Sequence, residues 1–575
     1  MFLPTTLAEI KEMNWDSVDI IFVTGDVYID SPYIGVSLLG KYLISKGFKV
    51  AVLSQPDIAS EEITTFGEPN LFWGVTGGSI DSMVANYTPT MKKRRSDDFT
   101  PGGINDKRPD RAVITYVNLI KKFFKKTKPI IIGGIEASLR RIAHYDYWSN
   151  SVRRSILFDS KADYLVYGMA ELAILEIAQK LKNNLSIKEI SGLCYISKDP
   201  KDKYIKLPSF DEVKNDDKKL VKSYLTLYQN NDPLNAEGLY QKHDGRYLIH
   251  NPPMRHLTES EIDEIYSLDF EYDSPPHLRE KGEIRALNTI LNSVMTHRGC
   301  YGECNFCSIA LHQGNTIISR SENSIINEIK KIIQSKHFKG YITDMGGPTG
   351  NMYKIECLKK LNSGKCKDKR CIADGICKSL KIDHRAQINL LDKVSKIEGI
   401  KKVFIASGIR ADMIYEDKTS GKNYLKKLVA DHTSGQMKIA PEHTDDNILK
   451  LMGKPPQKEL LIKFVKDFYE YSKKAGKNQF LTYYMIAAHP GCDFSQMRGA
   501  KEFMEKKLGC VPEQVQIFTP LPLTISSLMY CCEKNIFTGK KIFVEKSLSG
   551  KNKQKDLFSK KFKSHTGGKN PPHHK

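Results

Sequence analysis

Three cysteines stand close together in a short glycine-containing stretch that follows a strand-like run. Cys300, Cys304 and Cys307 have the spacing C-x3-C-x2-C, and Gly299 and Gly302 allow the backbone between them to curl. Three thiolates from one loop can bind three irons of a cubane, whereas iron–sulfur clusters usually have four cysteine ligands. The fourth iron would keep an open position, as a catalytic metal requires. A zinc site or a chance grouping is the alternative, but zinc sites usually pair two C-x2-C halves.

A second group of cysteines follows within a hydrophilic stretch rich in glycine and lysine. Cys357, Cys366, Cys371 and Cys377 have the spacing C-x8-C-x4-C-x5-C. Cysteines that only fill a core sit among apolar residues, so this setting points to metal binding. An auxiliary iron–sulfur cluster and a structural zinc ion would each use four thiolates. Thiols without a metal remain the third interpretation.

The elements that position these cysteines form a repeating pattern of strands and helices. From residue 286 to 538, six or so strand-like runs alternate with helical patterns, which predicts a full or partial (β/α) barrel. Residues 1–198 show the same alternation and predict a doubly wound α/β domain, with ligands expected near Gly25–Asp26 and Gly133–Gly134 at the strand ends. Residues 199–285, polar and marked by prolines, are predicted to connect the two domains.

The loop from Cys300 to Cys307, with an aromatic residue before its last cysteine, resembles the signature of the radical SAM superfamily. The resemblance implies that S-adenosylmethionine chelates the unique iron of a [4Fe-4S] cluster and is cleaved to a 5'-deoxyadenosyl radical that attacks a substrate. It also implies a reductant such as flavodoxin or ferredoxin. The resemblance also implies cofactor-binding residues after later strands; the candidates are Gly346, Gly347, Ser407, Arg410 and Glu442. For Ser407, Arg410 and Glu442, a role as helix cap or surface ion pair is the alternative.

Longer stretches of the sequence resemble the YgiQ family of radical SAM proteins. The stretches Gly25 to Pro32, Gly133 to Arg141 and His144 to Trp148 carry this resemblance. It implies an N-terminal Rossmann-like domain similar to cobalamin-binding modules, placed before the radical SAM barrel. Those modules often contain Asp-x-His-x-x-Gly, but Pro32 stands in the place of the histidine. Proline offers no lone pair to cobalt, so we expect cobalamin to be absent or to lack that ligand.

The charge and composition limit the remaining functions. The formal net charge is +21, and Lys540 to Lys575 carries eleven lysines against two acidic residues. We predict a disordered lysine-rich tail over 539–575, with nucleic-acid binding as a second interpretation. The absence of a long apolar run and of a signal-peptide pattern predicts a cytoplasmic protein.

Several functions therefore remain open on the sequence alone. The leading hypothesis is a radical SAM enzyme acting on an unidentified substrate. The alternatives are a cobalamin-dependent radical SAM methyltransferase, an RNA-modifying enzyme, or a non-enzymatic metal-binding or RNA-binding protein with structural cysteines. A methylthiotransferase is disfavoured, because the first 190 residues lack the three further cysteines expected there. No catalytic side chain and no oligomeric state can be assigned.

Overall fold

A nine-stranded sheet forms the first domain in the computed structural model, which describes residues 1–559. Its order is β2-β1-β3-β4-β7-β8-β11-β10-β9, and β5 and β6 form a separate hairpin. The strands are β1 Ile20–Thr24, β2 Val50–Ser54, β3 Phe72–Thr76, β4 Ile130–Gly133, β5 His144–Asp146, β6 Ser151–Arg153, β7 Tyr164–Val166, β8 Leu193–Ser197, β9 Ile205–Lys206, β10 Leu239–His243 and β11 Arg246–His250.

Helices cover both faces of the parallel part of this sheet. In β1, Ile21 and Val23 pack in the same core cluster as the α4 side chain Tyr116, whereas Ile20 and Phe22 pack with Leu43 of α2. Alternate residues of a strand point to opposite faces, so the unbroken apolar run of β1 is buried on both sides. The helices are α1 Leu7–Glu12, α2 Gly35–Ser45, α3 Ser82–Asn86, α4 Ala112–Phe123, α5 Gly134–Ser138, α6 Ile156–Ser160, α7 Glu171–Lys182, α8 Phe210–Asn215, α9 Asp217–Gln229, α10 Glu259–Ser267 and α11 Pro276–Arg279.

The predicted connecting region at 199–285 differs from the structure. Strands β9, β10 and β11 lie within it and extend the first sheet, with β11 antiparallel to β8. Leu239, Leu248 and Ile249 are buried and supply the apolar contacts. These strands are short, and the segments around them are polar and contain prolines. The local sequence pattern therefore does not predict that they pair.

The second half of the chain forms an open (β/α) barrel, and the predicted fold class is confirmed. β12 is parallel to β16, β15 to β17, and β18 to β19 and β20. Ile405 N donates to His432 O, and a parallel bridge joins Ile409 to Ile439, so the first strands continue into the last three. The strands are β12 Ser293–Met295, β13 His297–Arg298, β14 Ile318–Ser319, β15 Tyr341–Ile342, β16 Asp344–Gly346, β17 Lys402–Val403, β18 Gln436–Glu442, β19 Phe480–Ala487 and β20 Gln514–Ile517.

Helices pack along the outside of this barrel. The core side chains of α14, α18 and α20, among them Ile329, Leu428 and Phe464, are fully or almost fully buried against the strands. The helices are α12 Leu287–Ile290, α13 Ile309–His312, α14 Glu322–Ile333, α15 Leu358–Ser363, α16 Arg385–Ser395, α17 Ala411–Glu416, α18 Gly421–Asp431, α19 Asp446–Met452, α20 Lys458–Lys474, α21 Phe494–Leu508, α22 Ile525–Cys532 and α23 Leu548–Asp556. Over residues 1–559, every helix is too short or too polar to cross a membrane.

The predicted disordered tail is partly ordered, because α23 packs on the barrel. Lys551 is 1% exposed and donates to the hydroxyls of Tyr147 and Tyr530, each at 2.9 Å. Burial lowers the pKa of Lys551 to about 8. Leu557 and Phe558 are buried as well. The lysine-rich composition predicts disorder because it does not reflect these apolar residues or their contacts with distant tyrosines. Residues 560–575 lie outside the described residues.

A buried ion pair joins the two domains. Arg298, at the end of β13, donates through Nη1 to Glu171 Oε1 at 2.5 Å, and the two side chains are 5% and 3% exposed. The Arg298 guanidinium also lies 5.3 Å from the ring centre of Tyr266. Glu171 begins α7 in the first domain. The contact therefore fixes the first barrel strands against the sheet.

We predict that Glu171→Gln destabilises the protein by roughly 3–5 kcal/mol, because it leaves the buried guanidinium without its countercharge. Denaturant unfolding monitored by circular dichroism measures the change. Glu470→Gln is the matched control, since the Glu470–Lys474 pair is exposed and such pairs contribute about 0–1 kcal/mol. Equal effects of the two substitutions would contradict the assignment.

Candidate functional site

The cysteine loop lies between β13 and α13 and is held by the backbone. Gly299 has φ +82°, and a Cβ there would lie 2.1 Å from Thr316 O, so the turn requires glycine. Cys300 N donates to Gly314 O at 3.3 Å, and Asn305 N donates to Met452 O at 2.8 Å. The loop is thereby attached both to the segment that follows it and to the end of α19.

The thiols of the loop lie near one another, because Cys307 interacts electrostatically with both Cys304 and Cys300. A Cβ on Gly302 would lie 3.2 Å from Cys300 Sγ and 3.6 Å from Cys304 Sγ, so glycine keeps a side chain away from these two sulfurs. Backbone amides donate to two of the sulfurs, from Gly302 to Cys300 at 3.3 Å and from Ile309 to Cys307 at 3.5 Å. Such donors stabilise thiolates and tune iron–sulfur clusters.

The surroundings of these thiols combine burial with positive charge. Burial raises the pKa values of Cys304 and Cys307, and nearby Lys454 and Arg410 oppose that shift at Cys304. A buried thiol becomes a thiolate when a metal binds it. Within residues 1–559, no three Cys, His, Asp or Glu side chains are placed to hold a single metal ion. The thiols of a cubane each bind a different iron, so a cluster does not require three of them around a single ion.

The glycine turn at Gly346 and Gly347 lies beside the loop. Gly346 pairs with Met295 of β12, and a Cβ on Gly347 would lie 2.7 Å from the imidazole of His297. Burial lowers the pKa of His297 to about 4, so this imidazole is neutral at pH 7. Thr349, just after the turn, places its hydroxyl 3.4 Å from Cys300 Sγ. The structure therefore brings the predicted turn into contact with the cysteine loop.

Ser407 also reaches this region, and its partner was missed in the sequence. Its backbone N–H donates to Asp344 Oδ1 at 3.1 Å, and its hydroxyl donates to Asp344 Oδ2. A Cβ on Gly346 would lie 2.9 Å from Ser407 Oγ, so serine and glycine turn are adjacent. Asp344 is the first residue of β16, two positions before Gly346, and only the pairing of distant strands identifies its role.

Arg410 lies against the cysteine loop. Its Nη1 would be 3.2 Å from a Cβ on Gly302, and its Nε donates to Asp412 Oδ1 at 3.0 Å. Burial disfavours the charged guanidinium, but Asp412 and the neighbouring thiols outweigh burial and raise the pKa of Arg410. Arg410 therefore presents a permanent positive charge to the loop.

Glu442 has a strained backbone and an unpaired carboxylate. It lies at a bulge at the end of β18 with φ +67°, a conformation that is uncommon for residues other than glycine. Burial raises the pKa of Glu442, and Lys454 and Arg410 oppose that shift. Its carboxylate forms no hydrogen bond or ion pair with any residue in the described part of the chain. Lys454, which the sequence reasoning missed, also donates to Ala440 O.

The second cysteine group is also brought together. Cys357, Cys366, Cys371 and Cys377 all line one small void beside the cysteine loop. Cys357 is 5% exposed and the other three are partly exposed. The remaining cysteines, including Cys194 and Cys492, lie apart from both groups and serve as packing residues.

A cavity of about 460 Å³ lies between the sheet edge of the first domain and the barrel. Asp26, Gly133 and Gly134 at the carboxyl ends of the strands line it, as the sequence predicted. From the barrel, Ser308 and His312 reach it directly after Cys307. This volume is within the roughly 300–1,000 Å³ of small-ligand pockets.

Comparisons with known proteins agree with this architecture. The Radical SAM N-terminal family matches residues 2–293. A UPF0313 protein of Fusobacterium nucleatum subsp. nucleatum is 54% identical over 98% of this chain and 99% of the relative. A UPF0313 protein of Thermotoga neapolitana is 45% identical, with the same coverage of both chains.

A solved structure shares the fold across most of the chain. OxsB, a cobalamin-dependent S-adenosylmethionine radical enzyme with aqua-cobalamin bound, has a TM-score of 0.50 at 14% identity. The match covers 93% of this chain and 58% of OxsB. At this identity the likeness concerns the fold alone. On the family match and the close relatives, the chain belongs to the Radical SAM N-terminal family and is a radical SAM enzyme.

Proposed function

We propose that Cys300, Cys304 and Cys307 bind a [4Fe-4S] cluster and that its fourth iron binds S-adenosylmethionine. The observation that carries this proposal is the grouping of the Cys300 and Cys304 sulfurs and Arg410 around Gly302, with backbone amide donors to Cys300 and Cys307. When bound, these cofactors supply a 5'-deoxyadenosyl radical. The chain itself contributes three thiolates, positive charge from Arg410 and Lys454, and burial that limits access of water.

The cofactor-binding residues predicted from the sequence surround this position. We assign Gly346 and Gly347 to close backbone approach, because their neighbours leave no room for side chains. Ser407 has its hydroxyl engaged by Asp344, so its role is to position the strand end. The carboxylate of Glu442 is free to accept a hydrogen bond from an amine or a ribose hydroxyl, as S-adenosylmethionine carries. Arg410 offsets the negative charge of thiolates and a bound carboxylate.

We further propose that the cavity between the domains receives the substrate. It begins next to Cys307, through Ser308 and Ile309, and ends at the strand edge of the first domain. Tyr33, Glu171 and Arg298 add polar groups to a mainly apolar lining. A pocket next to the cysteine loop would bring a bound substrate near the radical.

Cobalamin is the second candidate ligand, favoured by the likeness of fold to OxsB. The lining residues do not fit a histidine-ligated cobalamin, because Pro32 occupies the position of that ligand. His312 is the one imidazole among the lining residues, and its Nδ1 lies 3.2 Å from Ser138 Oγ. We therefore assign the cavity to substrate.

The remaining expectations concern partners. We propose a cytoplasmic protein that takes its electron from a flavodoxin or a ferredoxin. Binding of RNA through the basic end of the chain stays a second proposal, and Lys551 would not contribute to it because this lysine is buried against tyrosine hydroxyls. The non-enzymatic alternative is set aside by membership in the radical SAM family.

We predict that Cys304→Ala abolishes formation of 5'-deoxyadenosine, because two thiols cannot hold the cluster in a reactive position. Anaerobic reconstitution with iron and sulfide, followed by dithionite and S-adenosylmethionine, measures the product by liquid chromatography. Cys510→Ala is the control, since Cys510 is also partly exposed but lies apart from both cysteine groups. Activity that persists in Cys304→Ala would contradict the ligand assignment.

We predict that Glu442→Gln raises the Kd for S-adenosylmethionine roughly 10- to 100-fold. A hydrogen bond to a charged group contributes about 1.5–3 kcal/mol, and about 1.4 kcal/mol corresponds to a tenfold change. Equilibrium binding to the reconstituted protein measures the Kd. Glu416→Gln, at an exposed position of α17, should leave it unchanged. An unchanged Kd in Glu442→Gln would remove Glu442 from the cofactor site.

We predict that the protein retains no corrin after incubation with hydroxocobalamin and desalting. The absorption spectrum from 300 to 600 nm separates corrin from iron–sulfur absorbance, and the iron content confirms that the sample is intact. Retention of about one corrin per chain would overturn the assignment of the cavity to substrate.

A further inference from the structure

The four cysteines of the second group share one environment beside the cysteine loop. Cys357 precedes α15, and the other three belong to the irregular segment that follows this helix. Cys377 N donates to Cys371 O at 2.8 Å, which folds the end of the segment back on itself. All four thiols line a single void of about 10 Å³. Cys366 and Cys377 are partly exposed, so a larger occupant would extend toward solvent.

Positive charge surrounds this void. Lys359, Lys360, Lys365, Lys369 and Arg370 line it together with the thiols, and Glu303 is the single acidic side chain among the lining residues. Lys360 Nζ lies 3.8 Å from Cys371 Sγ and is 3% exposed. Cysteines that only fill a core have apolar neighbours. A metal centre with four thiolates carries net negative charge, which the five cations complement.

We propose that Cys357, Cys366, Cys371 and Cys377 bind a second iron–sulfur cluster, which fixes the segment from 357 to 377 against the loop from 300 to 307. In the part of the chain that the structure describes, no three of these thiols can hold one ion. A zinc ion would lie about 2.3 Å from each of four thiolates, whereas the partial exposure of Cys366, Cys371 and Cys377 leaves space toward solvent for a larger cluster. With four cysteine ligands, this cluster has no open iron for S-adenosylmethionine.

The contacts between the two cysteine segments are direct. Lys365 Nζ lies 3.0 Å from Glu303 Oε2, and Lys360 Nζ lies 3.9 Å from Glu303 Oε1. Arg370 Nη1 donates to Asn305 Oδ1 at 2.7 Å and to Glu303 O at 3.2 Å. Glu303 and Asn305 flank Cys304. A metal that holds the second segment in place therefore also restricts the loop of the first cluster.

Metal analysis of four reconstituted proteins tests the inference. The full chain is compared with a Cys300→Ala/Cys304→Ala/Cys307→Ala triple variant, a Cys371→Ala/Cys377→Ala double variant, and Cys510→Ala. Iron, acid-labile sulfide and zinc are counted per chain. We expect the triple variant to keep about two or about four irons, for a [2Fe-2S] or a [4Fe-4S] cluster. The double variant should lose the same amount, and Cys510→Ala should lose none.

A spectroscopic measurement separates this inference from the proposed function. The reduced cluster of the triple variant should give an electron paramagnetic resonance signal that S-adenosylmethionine leaves unchanged, because the cluster has no open iron. If only the proposed function is wrong, the triple variant keeps the iron content of the full chain. Absence of iron from the triple variant overturns the inference, whether zinc at about one per chain is present or not. Circular dichroism that matches the full chain confirms folding of each variant.

Discussion

The buried pair between Arg298 and Glu171 connects the parts of this protein that matter most. Arg298 stands two residues before Cys300, and Glu171 stands at the strand edge where the cavity opens. A guanidinium placed in such an apolar junction requires a carboxylate partner. The position of the cysteine loop and the shape of the cavity are therefore set by the same contact.

Two groups of basic residues lie around the cysteine loop. Arg410 and Lys454 interact with Cys304, and Lys360 and Lys365 pair with Glu303. Part of the net charge of +21 is thus buried near thiols rather than displayed to a polyanion. Net charge describes solubility and nonspecific binding, whereas the location of each cation describes its role.

The first domain illustrates the difference between a fold and a ligand. The fold is similar to that of OxsB, yet Pro32 lines the cavity of this chain where a cobalt ligand would be expected from the sequence motif. The same scaffold can hold different ligands when a few side chains change. The side chains around the cavity, rather than the sheet, therefore govern what it binds.

The sequence by itself determined the features that depend on local spacing. The C-x3-C-x2-C loop, the buried runs of β1 and β4 and the alternation of strands and helices are encoded within a few residues of each other. The candidate role of Gly346 and Gly347 comes instead from the resemblance to the radical SAM superfamily. The neighbours of these glycines are determined by the pairing of distant strands.

Tertiary structure decided the features that depend on partners far along the chain. Asp344 engages Ser407 across two strands, Lys454 approaches Cys304 from the turn after α19, and β9 to β11 complete a sheet begun near residue 20. Lys551 is buried because Tyr147 supplies an acceptor some 400 residues away. Local composition cannot encode such contacts, since a lysine or an aspartate gives the same pattern in solvent as in a buried pair.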